Sequence, residues 1–216
     1  MEVLSSHQEP TPTPPTVLLH IVEDDAIVRA SLEDLVRGVA QHVAAHDSAE
    51  AFLAAYEPLA PSALLLDVTL PRMNGLELLE HLDRHHLMLP TIVLSADAEV
   101  QRVVSAIRSG AVDFMTKPPD PRRLLHQVEA LLANAEPEAR IRRQALQYQQ
   151  GYDGLTPRER EVFLLVAQGA TTKQIALKLG LQLRTAHIHR TNVMRKFETE
   201  TTVELAHIAY QLRVLN

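Results

Sequence analysis

The sequence predicts an α/β doubly wound parallel sheet of five strands, followed by a smaller all-α unit of four helices. Three observations carry that expectation. Between residues 16 and 135 five short apolar runs alternate with amphipathic segments. From Leu155 onward only helical periodicity remains, and the charge balance reverses along the chain. Residues 1–120 hold 7 Lys+Arg against 18 Asp+Glu, a net −11, whereas residues 121–150 carry +2 and residues 151–216 carry +3. An acidic front and a basic tail imply two units with different partners, the tail being suited to a polyanion.

The apolar runs are "TVLLHIV", a weaker "QHVAAH", "ALLLD", "PTIVLS" and "AVDFMT". Helical patterns begin near Ala26, Ser48, Gly75, Glu99 and Pro121. Five strand–helix units require right-handed crossovers, and these cover both faces of a mostly parallel sheet. The opening "MEVLSSHQEPTPTPPT" packs four prolines into residues 10–15, a composition suited to a solvated polyproline-like tail over residues 1–15. With 216 residues and 46% hydrophobic content the chain is long enough for one or two globular domains. No window reaches the apolar length of a membrane span and no leader pattern opens the chain, so the expectation is a cytoplasmic protein without membrane contact. Zero cysteines exclude disulfides, thiol catalysis and Cys-ligated metal sites.

Polar residues fall at the carboxyl ends of four of these strands, where ligands bind in open α/β sheets. They are Glu23, Asp24 and Asp25 after the first, Asp67 after the third, Ser95 after the fourth and Lys117 after the fifth. A single aspartate often does no more than end a strand in a turn. Four converging strand ends are a stronger signal. Clustered carboxylates repel unless a cation joins them, and an oxygen-only set suits Mg²⁺, which is usually completed by phosphate oxygens. A lysine and a hydroxyl beside it could neutralise a transferred phosphoryl group, which makes Asp67 the expected nucleophilic acceptor.

The motifs "HIVEDD", "LLLDVTLPRMNG", "IVLSA" and "GAVDFMTKP" resemble the receiver domain of bacterial two-component response regulators, across residues 16–135. The resemblance implies a flavodoxin-like fold, Mg²⁺ as cofactor and a sensor histidine kinase as phosphoryl donor. By motif position it implies Asp24 and Asp67 as direct metal ligands, Thr69 through its backbone carbonyl and Glu23 through water. Ser95 is then the switch hydroxyl, Phe114 the switch aromatic, and Lys117 the phosphate partner before a cis bond to Pro118. Asp25 is a third acid outside the pair. Pro119 stands where relatives often have an aromatic residue, and Asp97 adds negative charge near the site.

Residues 136–152 are polar and helix-prone, a helical linker in which Pro137, lacking a backbone donor, is expected to impose a kink or restart. In "LTPREREVFLLVAQG", Thr156 is the expected N-cap, Pro157 the first helical residue, Glu159 the partner in a capping box and Gly169 the stop. "TTKQIALKLG" is a second short helix. The third, "LRTAHIHRTNVMRKFE", sets Ala186, His189, Val193 and Phe197 on a buried stripe and leaves His187, Ile188, Arg190, Thr191 and Arg195 outward. A fourth helix is expected to have Val203, Ala206, Ile208 and Leu212 on its apolar side. Two helices joined by a Gly-containing turn, the second basic, describe a helix-turn-helix.

"LTPREREV", "TTKQIA" and "RTAHIHRTNVMRKF" resemble the LuxR-type DNA-binding domain over residues 153–216. With the receiver, the chain is similar to the FixJ/NarL family of transcriptional response regulators. That resemblance implies base reading by His187, Ile188 and Thr191, and phosphate contacts from Lys173, Arg184, Arg190 and Lys196. The implied partners are double-stranded DNA, a second copy of the chain on phosphorylation or DNA binding, and RNA polymerase. Gln182 and Leu183 replace the usual Ser-Pro lead-in, so the recognition helix is expected to lack a good N-cap. The same residues admit two other readings. An aspartate-nucleophile phosphatase commonly has a second Asp two residues after the nucleophile, where this chain has Thr69; a receiver acting without phosphorylation would not need the intact acceptor set. His81 and His85, at i and i+4, could bind a metal, but no carboxylate or cysteine completes a site.

Overall fold

The computed structural model describes residues 16–96 and 100–215. The expected tail at 1–15 and the acid Asp97 lie outside the described residues. The chain divides into two compact units, with the boundary between Ala139 and Arg140.

In the first unit, strands β1 (Leu18–Val22), β2 (His42–His46), β3 (Ser62–Asp67), β4 (Thr91–Ser95) and β5 (Asp113–Thr116) form one parallel sheet in the order β2-β1-β3-β4-β5. This is the doubly wound order whose switch point lies between β1 and β3. All six residues of β3 are buried, as expected for the central strand of a sheet covered on both faces. The pleat sends Leu64 and Leu66 into one core with Val93, Phe52 and Leu78, and Leu65 into the other with Ile21, Ile92 and Leu94. Register sets the chemistry: Val22 pairs with Leu66, Asp67 with Leu94 and Ser95 with Thr116, so four strands end side by side.

The crossovers α1 (Ala26–Val36), α2 (Ala49–Ala55), α3 (Gly75–Arg84) and α4 (Val100–Arg108) start within one residue of their expected positions. Asp25, Ser48 and Asn74 cap the first three with side-chain oxygens. A polar residue inside β1, His20, is buried against Phe52 and Tyr56, and its Nδ1 lies 3.0 Å from Nε2 of His46.

The expected restart at Pro137 does not occur. Helix α5 runs from Pro121 to Asp153 with Pro137 inside it. The proline removes one backbone donor, but Ala135 and Ala139 flank it fully buried, and packing of that face holds the helix through the missing bond.

The second unit contains α6 (Pro157–Ala167), α7 (Thr172–Leu179), α8 (Leu183–Lys196) and α9 (Thr202–Gln211) around Val162, Phe163, Ile175, Ala186, Val193 and Leu205. Capping boxes at Thr156/Glu159, Thr171/Gln174 and Thr201/Glu204 start three of the helices. Gly180 at φ +63 ends α7 in the left-handed conformation open to glycine. Gln182 at the start of α8 makes no side-chain cap, in line with the sequence. The stripe expected on α9 is corrected: Val203 is 78% exposed, while Leu205, Ile208, Ala209 and Leu212 are buried. Positions 205, 208, 209 and 212 share a face at helical spacing, and Val203 lies two residues, about 200°, around the helix from Leu205.

Candidate acidic site and helix-turn-helix face

The sheet brings Glu23, Asp24, Asp67, Ser95 and Lys117 to one edge. At the end of β1 Glu23 is buried, Asp24 is exposed, and Asp25 turns away to accept the backbone N–H of Ile27 and Val28 at 2.8 and 3.1 Å. That capping role explains the third acid. Asp67 is buried at the end of β3, and its Oδ1 accepts the N–H of Thr69 at 3.2 Å. Glu23, Asp24 and Asp67 each place a carboxylate oxygen within 4.8 Å of the others, and no other cluster of this kind occurs among the described residues. His81 and His85 lie close, with ring centroids 4.5 Å apart and planes tilted at 46°, but no third ligand joins them among those residues.

Lys117 reaches over this cluster. Its Nζ lies 2.5 Å from Oε2 of Glu23 and 3.0 Å from Oδ2 of Asp67, with the lysine side chain 17% exposed. Burial pushes the Glu23 carboxyl above its ordinary range, partly opposed by the hydrogen bond from Lys117 and reinforced by the charge of Asp67. Burial would lower the Lys117 ammonium, but the hydrogen bonds and charges of Glu23 and Asp67 outweigh it and hold the lysine raised. The Lys117–Pro118 bond is cis. Ser95 is buried at the end of β4, its carbonyl accepting the Lys117 N–H at 2.7 Å. Phe114 pairs with Val93 in register and packs, half-buried, on the core that holds Leu66 and Val93.

Gly75 is a site residue that sequence reading took only as a helix start. Its N–H donates to the Val68 carbonyl at 3.0 Å, and a Cβ there would sit 2.2 Å from the backbone oxygen of Asp67. Only glycine permits that approach. The signal was present in the motif, a glycine eight residues after the acceptor at the first position of α3, but its reason is a contact across the loop.

On the helical unit, Lys173, Arg184, His187, Ile188 and Thr191 are exposed, Ile188 at 49%. Two expected contacts are tied inward. Arg190 Nη1 donates to the Ala170 carbonyl at 3.1 Å, and Lys196 Nζ donates to the Gly154 carbonyl at 3.1 Å and to Oε2 of Glu159 at 2.8 Å. Glu159 also accepts from the N–H and hydroxyl of Thr156. The Lys196 bond, then those from Thr156, depress its carboxyl to about 2.

Family comparison agrees with both halves. A model of the response regulator receiver domain matches residues 19–129, and one of bacterial regulatory proteins of the luxR family matches residues 153–209. The chain belongs to the response regulator family. This response regulator is 33% identical to the response regulator protein TmoT of Ectopseudomonas mendocina, over 91% of this chain and 89% of that protein. It is 32% identical to the transcriptional regulatory protein FixJ of Bradyrhizobium diazoefficiens, over 92% and 97% respectively. Among solved structures it is similar to the response regulator StyR, with TM-score 0.56 and 31% identity over 91% of this chain and 99% of that one. Full-length FixJ from B. japonicum matches with TM-score 0.52 and 31% identity, over 94% and 100%. The response regulator is a phosphorylation-dependent, DNA-binding regulator of transcription, joining a flavodoxin-like receiver to a LuxR-type helix-turn-helix. Receivers bind Mg²⁺ at an acidic site, and the oxygen-only set of Glu23, Asp24 and Asp67 fits such an ion. Among the described residues no helix is long and apolar enough to cross a membrane.

Proposed function

We propose that Asp67 is the phosphoacceptor, charged by a sensor histidine kinase. The observation that carries the proposal is Lys117, whose ammonium spans Glu23 and Asp67 and so stands where phosphoryl oxygens would arrive. An Asp67 carboxylate oxygen attacks phosphorus in line, forming an O–P bond as the P–N bond to the donor histidine breaks and its electron pair returns to the imidazole. Asp24, Asp67 and the Thr69 carbonyl would hold Mg²⁺ directly and Glu23 through water, and the ion would supply charge neutralisation at the transferring group. Lys117 exchanges a carboxylate for a phosphoryl oxygen. The Ser95 hydroxyl binds another, Phe114 follows it inward, and the receiver surface is biased toward a homodimer. Water later hydrolyses the acyl phosphate, which is the receiver's own turnover; the chain has no free-standing substrate.

The functional bounds on this reading are 16–135 for the receiver, 136–152 for a helical linker and 153–216 for the DNA-binding domain. Helix α8 enters the major groove, with His187, Ile188 and Thr191 reading bases and Lys173, Arg184, Arg190 and Lys196 at phosphates. Double-stranded DNA is bound by a dimer in the cytoplasm, next to RNA polymerase. Labelling with acetyl phosphate in the presence of Mg²⁺ tests the core of the proposal: wild type labels at one site and gains DNA affinity, and Asp67→Asn does neither. Full labelling of the Asn variant means that the acceptor lies elsewhere, and steady release of phosphate from an added monoester would favour the phosphatase reading.

A further inference from the structure

Arg29 lies in the first turn of α1, where the helix field disfavours a cation. Its guanidinium folds back instead of pointing along the helix. Nη1 donates to the carbonyl of Glu23 at 2.7 Å and to that of Asp24 at 3.2 Å. Both acceptors are backbone oxygens, and both belong to residues whose carboxylates form the acidic cluster. One donor therefore holds two successive peptide units and leaves the carboxylate oxygens to face a cation.

The rest of this loop is fixed by other bonds. Glu23 N–H donates to the His46 carbonyl at 3.1 Å on one side, and Asp25 caps α1 on the other. Between them stands Asp24, the exposed member of the cluster, with Arg29 as a tie on its carbonyl. Three carboxylates converge here, from Glu23, Asp24 and Asp67, and their mutual repulsion drives the exposed one, Asp24, outward unless its backbone is held.

We propose that Arg29 is a positioning residue for the divalent cation, clamping the β1–α1 loop so that the Asp24 carboxylate stays beside Glu23 and Asp67. The inference rests on the reading of those three acids as the cation site. Groups that orient metal ligands from behind commonly change affinity by an order of magnitude or more. Arg29 also adds positive charge to an acidic edge, which by itself would weaken cation binding, so the two effects predict opposite outcomes on removal.

The test is a Mg²⁺ titration of the full chain by calorimetry, on wild type, Arg29→Ala, Arg29→Lys and Asp24→Asn, at a temperature where melting curves show each folded. Arg29→Ala should weaken Mg²⁺ on the order of tenfold and speed amide exchange at residues 23–28, and Arg29→Lys should recover most of the loss. Binding in Arg29→Ala equal to or tighter than wild type overturns the proposal. Arg29→Met replaces Ala if that variant does not fold, with the same two outcomes. Asp24→Asn separates the premise from the inference: normal Mg²⁺ binding in that variant would dismiss the acidic cluster as the cation site whatever Arg29 does.

Discussion

The acidic edge of the receiver and the exposed face of the helix-turn-helix use charge in opposite ways. At the edge, Glu23, Asp67 and Ser95 are buried, and one lysine contacts both acids within 3.0 Å. On α7 and α8, Lys173, Arg184, His187 and Thr191 lie exposed. Buried charges demand compensation within the fold, so the receiver site is preorganised and each member depends on the others. Exposed charges are screened and independent, and their contribution waits for a polyanion. Substitutions at the edge should therefore act strongly and together, those on the helix face weakly and one by one.

The sharpest probe of preorganisation is Gly75→Ala, which changes no charge. Its new Cβ would meet the Asp67 carbonyl oxygen at 2.2 Å, and the clash is with backbone, which cannot rotate away. The expected cost is about 3 kcal/mol, at the upper end for overpacking, with slower acetyl phosphate labelling at temperatures where the variant is folded. Unchanged urea midpoint and labelling would show that the β3–α3 loop moves freely and that the site is less rigid than its burial implies.

How far each region was legible follows the same division. The strands and the polar residues at their ends could be read because burial on both faces leaves continuous apolar runs such as "ALLLD", and a parallel sheet aligns its carboxyl ends. Capping boxes at Thr156 and Thr201 are local, spanning three residues, and helix α6 could be read from Thr156 for that reason. Contacts across long separations could not. Lys196 meets Glu159 from 37 residues away, and nothing in "RKFE" distinguishes a lysine that binds DNA from one that binds a capping box. At Pro137 a kink or a restart was expected from the missing donor, and the restart gave way to the packing of Ala135 and Ala139. Val203 misled because apolarity was counted without its angle around α9.

Glu159 and Lys196 on the helical unit pair a buried acid with a lysine as the receiver edge does, and so they test whether burial or location governs the response. The Glu159 carboxyl is held at about 2 in the folded protein against an ordinary 4.5. A depressed acid contributes stability that is fully present above about pH 4.5 and is lost as pH falls toward 2. With Lys196 36% exposed, the contribution is discounted for solvent to about 2 kcal/mol. Glu159→Gln should lower the urea-derived stability by that amount at pH 7 and flatten its fall below pH 4.5. A Glu159→Gln curve parallel to wild type across that range would assign the acid stability to other groups.

On the exposed face the effects fall on DNA binding and leave folding stability nearly unchanged, and there the distinction is between positioning and reading. Lys173 stands on α7 with its ammonium exposed, and neutralising it should weaken specific and random DNA alike, reducing the salt slope by roughly one unit. His187 is exposed on α8 four residues before Thr191, so the two side chains share a face one turn apart. A ring nitrogen there can meet a base edge while the methyls of Ile188 and Thr191 touch a thymine methyl. His187→Ala should then cost about 1–3 kcal/mol on the best operator and far less on random DNA, relaxing preference at one or two base pairs of each half-site. The measurement is selection of bound sequences from a random pool by both proteins, in parallel with salt titrations. If the His187→Ala motif matches the parent at every position while Lys173 substitution alters it, the roles are reversed: reading lies on α7, and α8 serves to hold the backbone.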